Sequence, residues 1–106
     1  MAKYLFFGTY TKEGLPGLLK EGGTGRMEAV RKAIESVGGT QECFYYMFGE
    51  ADVTGVADLP DNVSAAAFSL MASAGGGATV KTVVLMTPEE VDEATKKTGT
   101  YRPPGG

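Results

Sequence analysis

Phe44-Tyr45-Tyr46-Met47-Phe48 is a run of five consecutive large apolar residues. It enters the acidic turn Gly49-Glu50-Ala51-Asp52 and leaves it at Val53. Successive side chains of a strand point to opposite faces. One face therefore carries Phe44, Tyr46 and Phe48, and the other carries Cys43, Tyr45 and Met47, with Val56 opposite. An antiparallel sheet with one face in water should alternate between apolar and polar residues, and this strand does not. Fully burying a large apolar side chain is worth about 1.5–3 kcal/mol. Two or three exposed aromatics would forfeit energy comparable to the stability of a whole small domain. Helices cover only one of the two faces, so a second copy stacked sheet against sheet is the economical cover. The expected partner is the chain itself, as a homodimer or higher homo-oligomer. Ordinary half-exposed strand tyrosines at Tyr45 and Tyr46 are the simpler alternative.

A two-residue turn at Glu50-Ala51 would pair Phe48 with Val53, Tyr46 with Gly55 and Phe44 with Ala57. Large rings would then lie opposite small residues. That pattern leaves room for a ligand between sheet and helices, or else lets a ring lie over a glycine as plain packing.

The remaining elements follow from periodicity and caps. Tyr4 to Phe7 reads as a first strand, ending near Gly8. Thr11 caps a short helix carrying Leu15, Leu18 and Leu19, with Pro16 in the first turn, where proline is tolerated. Gly22-Gly23-Thr24-Gly25 punctuates the chain. Met27, Val30, Ile34 and Val37 then form one apolar stripe on a helix from Arg26 to Val37, stopped by Gly38-Gly39. Strands over 41–48 and 52–59 follow. Pro60-Asp61-Asn62 offers caps for a small-residue helix over 62–74. Gly75-Gly76-Gly77 breaks it before a valine-rich strand over 78–86. Thr87-Pro88-Glu89-Glu90 has the pattern of a capping box opening a short helix to about Lys97. Residues 1–97 read as one domain and 98–106 as an extended or disordered tail. The order predicts an α+β ferredoxin-like β-α-β-β-α-β fold: a four-stranded antiparallel sheet with helices on one face, plus a short C-terminal helix.

The chain has 106 residues, no histidine, one cysteine and a net charge of −3. Without histidine there is no histidine general base, no histidine-held metal or haem, and no Ser-His or Cys-His pair. Neither a metal nor any other cofactor is expected. The acidic balance, without a basic run, offers no footprint for nucleic acid or anionic membrane. No apolar stretch approaches membrane-span length. The N-terminus runs directly into a strand, and Cys43 has no internal disulfide partner; both fit a cytoplasmic protein.

The sequence resembles the GYD domain family along nearly its whole length. The turn Phe48-Gly49-Glu50-Ala51-Asp52-Val53 looks like that family's signature. The likeness extends through Lys3-Tyr4-Leu5-Phe6-Phe7-Gly8-Thr9-Tyr10-Thr11, Gly17-Leu18-Leu19-Lys20-Glu21-Gly22, Asp58-Leu59-Pro60-Asp61-Asn62 and Leu85-Met86-Thr87-Pro88-Glu89-Glu90. Ala51 departs from the tyrosine usual in that turn. The resemblance implies a ferredoxin-like fold of the dimeric α/β-barrel type. Relatives by fold include cofactor-free monooxygenases, small isomerases, haem-using enzymes and amino-acid-sensing modules, an analogy of fold alone.

Five residues are candidates for binding a small molecule. Arg26, after a glycine cluster, suits a carboxylate or phosphate, with a structural ion pair or a capping role as the simpler alternative. Lys81, in an apolar strand, is a cationic anchor if it points inward and an edge or solvent charge if it does not. Tyr10 and Tyr46 offer hydroxyls, though buried tyrosines often serve packing. Asp52, with Glu50, forms an acidic pair across the turn, for which bonding to backbone amides is the simpler role. The leading expectation is a non-catalytic oligomeric module that binds a small ligand. The alternative is a cofactor-independent isomerase or monooxygenase.

Overall fold

The computed structural model describes all 106 residues. Seven elements follow one another: β1 (Ala2–Tyr10), α1 (Leu15–Ser36), β2 (Thr40–Tyr46), β3 (Val53–Leu59), α2 (Asn62–Ala74), β4 (Ala78–Val84) and α3 (Pro88–Lys96). The strands form one sheet in the order β2-β3-β1-β4, with every neighbouring pair antiparallel. This is the expected α+β ferredoxin-like arrangement, with α1 and α2 on one face. No helix is long and apolar enough to cross a membrane.

The core lies between sheet and helices. Tyr4 and Phe6 of β1, Ala57 and Leu59 of β3, Ile34 of α1, and Ala65 and Phe68 of α2 are all buried there. Phe6 meets Phe68 edge-on at a centroid distance of 5.4 Å and Phe44 at 6.4 Å. Of the Met27-Val30-Ile34-Val37 stripe, Ile34 is wholly enclosed and Val30 and Val37 pack against the core, while Met27 is only half-buried. On the outer side of α1, Arg31 pairs with Glu28 and Glu35. The helix stops at Gly38, with φ of +87°, a region that favours glycine. α2 is capped by Asp61, whose carboxylate accepts from the Ser64 backbone N–H at 2.8 Å. The Thr87–Glu90 capping box at α3 is present in both directions.

Three local expectations are corrected. First, the hairpin register differs by two residues. Tyr46 pairs with Val53 and Phe44 with Gly55, and a bulge between Gln41 and Cys43 sets Gln41 opposite Ala57. The turn is longer because Asp52 is held from outside the hairpin. Its N–H bonds the Gly8 carbonyl at 2.9 Å, and its carboxylate accepts from Tyr10 N at 2.8 Å. β2 therefore ends at Tyr46, and Phe48 stands fully in solvent.

Second, Thr11 precedes the helix rather than capping it: its hydroxyl accepts from Gly14 N, and Gly14 holds the N-cap position. Third, β4 closes at Val84, two residues short of the expected end. The glycine cluster does punctuate the chain as expected: Gly22 (φ +76°, ψ +172°) is non-helical, and α1 is two helices meeting at that kink.

The other sheet face is bare. Leu5 of β1 lies between Val56 of β3 and Val83 of β4, with Phe7, Cys43 and Tyr45 on the same side. Tyr45 is 66% exposed and Val83 46%. Leu85 still bonds back to Lys3, but every residue from Met86 onward is exposed. The molecule is accordingly elongated, 56 × 32 × 22 Å, with α3 and the tail as an arm beyond the sheet.

Candidate functional site

A cavity of about 120 Å³ lies between the sheet and the two packed helices. β1 and β3 supply its floor through Phe6, Gly8 and Val53, and α1 and α2 its walls through Ala29, Val30, Ala33, Phe68 and Ala72. The space exists because small residues face each other across the layer, alanines from both helices over Gly8. At Gly8 a Cβ would stand 2.6 Å from Val53, so only glycine fits there.

Apart from Gly8 and Arg26 the lining is hydrophobic, and polarity enters at one end, through the Arg26 guanidinium and the Tyr10 phenol. Tyr10, Arg26, Ala72 and Ala78 also line an outer groove with Glu13, Glu21 and Gly77. These shared residues form the mouth between cavity and solvent.

Tyr10 is brought to the mouth by the end of β1, where Asp52 clamps its backbone N–H. Tyr46 arrives from the adjacent end of β2. Its ring packs edge-on against Phe44 at 5.3 Å, and its hydroxyl donates to the Gly23 carbonyl at 2.9 Å. A Cβ at Gly23 would come within 3.1 Å of that ring, so the glycine lets the helix and tyrosine approach. Arg26 follows on the next turn of α1, and its Nη1 bonds Glu21 Oε2 at 3.2 Å.

Glu21 and Arg26 are five residues apart, whereas regular helix neighbours are three or four apart. The Gly22 kink between them permits the pair.

The charges at this mouth are tuned by the same contacts. Desolvation pulls the Arg26 guanidinium down, but hydrogen bonding to Glu21 and to the Tyr10 phenol outweighs it and holds its pKa above the ordinary arginine value. The Tyr46 phenol is pushed up to about 12, chiefly by partial burial and then by the neighbouring Tyr10, with Arg26 pulling the other way. At neutral pH Tyr46 is therefore a hydrogen-bond donor and Arg26 a fixed cation.

Of the five sequence candidates, Arg26, Tyr10 and Tyr46 meet, and Asp52 supports them through the Tyr10 backbone. Lys81 does not join them. It pairs with Phe7 in the sheet and stands exposed on the bare face, with Glu50 along the same groove. Sequence reasoning missed the apolar walls, above all Phe68 and Ala33. It also missed Glu21, whose pairing depends on a kink that composition alone does not place. The alanine-rich character of 62–74 was the available signal for the walls. No cluster of His, Cys, Asp and Glu is arranged to hold a metal ion.

The fold and the site together define a small ferredoxin-like domain with an apolar pocket closed by a cationic, phenolic mouth. The chain matches the GYD domain family over residues 4–95 and belongs to it. No curated protein and no solved structure matched the chain.

Proposed function

We propose that this chain is a homo-oligomeric module that binds a small ligand in the cavity between its sheet and helices. One observation carries the reading: an otherwise apolar pocket has Arg26 and Tyr10 at its single polar end, with the Tyr46 phenol beside them. Binding sites commonly pair an apolar body with a few convergent polar groups. Copies meet through the bare sheet face, where Leu5, Phe7, Tyr45, Val56 and Val83 form an apolar surface that the chain's own helices leave uncovered. Free, half-buried Cys43 suits work in a reducing cytoplasm.

A cofactor-independent isomerase or monooxygenase is the second reading, favoured by the same convergence of a cation and two phenols. Such chemistry needs a base facing the substrate, and the cavity lining contains neither carboxylate nor lysine. Asp52 is engaged by the Tyr10 backbone and Glu21 by Arg26. Binding without catalysis takes precedence.

Native mass spectrometry of freshly purified protein tests both parts, reading subunit number and retained ligand in one spectrum. The expected result is an oligomer that Val83→Lys converts to monomer, since a charge next to Leu5 would be stranded in the interface. A wild-type monomer would sink the assembly claim. A cavity that takes up no small molecule would sink the binding claim.

A further inference from the structure

We infer that the cavity is built for a short monocarboxylate with a compact apolar body, and that Glu21 holds the carboxylate's place when the pocket is empty. The inference rests on the binding reading above and narrows it to a chemical class. Three observations carry it.

The first is size. A cavity of roughly 150 Å³ accepts benzene. This one, at about 120 Å³, holds about four or five carbons at interior packing density. Fatty chains, fused rings and nucleotides are too large to be enclosed by it.

The second is the placement of polarity. The walls offer nothing for a polar body to bond, while the mouth residues Arg26 and Tyr10 line both the cavity and the groove outside it. A ligand therefore seats its apolar part inward and its head at Arg26. The Arg26 side chain is one-third exposed and is engaged by Glu21 through Nη1 and by the Tyr10 phenol, so a guanidinium with five N–H donors keeps several for a ligand. A planar fork of donors matches a carboxylate better than a hydroxyl or an amide.

The third is Glu21 itself. A carboxylate already sits on Arg26, at a sequence spacing that a straight helix would not bring together. Glu21 is 47% exposed, so releasing it returns a solvated side chain to water at small cost. An incoming carboxylate replaces like with like on the same cation. Two carboxylates compete for one guanidinium, which makes Glu21 a weak built-in competitor.

The test follows methyl resonances of Ala29, Ala33 and Ala72 by NMR while titrating 3-methylbutanoate, its neutral isostere 3-methylbutanamide, and xenon. The acid should bind more tightly than the amide. Arg26→Gln should weaken the acid at least tenfold, the loss of a charged hydrogen-bonding partner, while changing the amide little. Glu21→Gln should tighten the acid about two- to fivefold and leave the amide unchanged, since an exposed ion pair of ordinary strength is what the ligand no longer displaces. This variant changes only an exposed side chain, so it keeps the test valid if Arg26→Gln folds poorly.

Equal binding of acid and amide, indifferent to both substitutions, would overturn the carboxylate class and leave the binding reading standing. Xenon shifting the alanine methyls while neither organic probe does so would also overturn the class and show an accessible cavity. No response to any of the three probes would overturn class and binding site together.

Discussion

Replacing Gly55 by alanine should destabilise the protein, although alanine is the commoner strand residue. A Cβ at Gly55 would stand 2.5 Å from Phe6 Cζ and 2.6 Å from the Cys43 carbonyl oxygen. Neither can retreat. Phe6 is boxed between Phe68 and Phe44, and the Cys43 oxygen belongs to the β2 backbone beside its bulge. Overpacking of this kind costs about 1–3 kcal/mol, while alanine recovers about 0.4–1 kcal/mol by restricting the unfolded chain. Mid-range values, about 2 against about 0.7, leave a net loss of about 1.3 kcal/mol, a fall in Tm of about 6 °C for a domain of this size.

Gly17→Ala is the paired control. It lies in α1, where an added Cβ meets nothing within 4 Å. It should stabilise by about 0.5–1 kcal/mol through helix propensity. Urea unfolding followed by far-ultraviolet circular dichroism, at one fixed protein concentration, reads both changes as midpoint shifts at constant slope. A Gly55→Ala protein as stable as wild type would refute the close packing of Phe6 over this glycine. It would also reopen the sheet surface there as space for a ligand.

Tyr46 should be a late-ionising tyrosine, with its phenolate absorbance appearing near pH 12 and missing from Tyr46→Phe. Because its folded pKa is raised, its contribution to stability is complete below about pH 10 and is lost as the pH climbs from there towards 12. The Asp61 carboxyl lies below the usual range because it accepts from the Ser64 N–H, so its share of stability is present at neutral pH and lost on acidification below about pH 4. Asp61→Ala should lower Tm at neutral pH and flatten the acid limb of the Tm-versus-pH curve; an unchanged curve would contradict the cap. Truncation after Met86 removes only exposed residues, so the shortened chain should keep its circular dichroism transition within a degree or two, about the span of an ordinary surface change.

What the sequence disclosed depended on the range of the forces involved. The helix Asn62–Ala74 spans the expected residues because its start is set locally, by Asp61 bonding Ser64. The Thr87 box is equally local, and the Val30-Ile34-Val37 stripe needs only helical geometry. The hairpin register was not legible, because the turn's end is fixed by Gly8 and Tyr10, more than forty positions upstream. Local turn chemistry could not weigh that clamp.

Which way Lys81 points stayed open in the sequence for a related reason. Alternation says that Val80 and Lys81 face opposite ways, but only pairing with β1 says which way is inward. The two-faced aromatic strand was legible in kind: Phe44 and Tyr46 face the helices, and Cys43 and Tyr45 face outward. Only Phe48, beyond the strand's true end, left the pattern.

The kink at Gly22 has a consequence for how α1 opens over time. Beyond it, from Arg26 to Ser36, the helix is anchored by Ile34 in the core. Before it, Leu15 and Leu19 lie largely in water and no residue is buried. Backbone amides of the first half should therefore exchange with deuterium through small, frequent openings, while those around Ile34 wait for global unfolding. What looks like one continuous ribbon is two cooperative units joined at a glycine. The Tyr46–Gly23 hydrogen bond lies just past that joint, so its strength sets how far the fraying of the first half reaches toward Arg26.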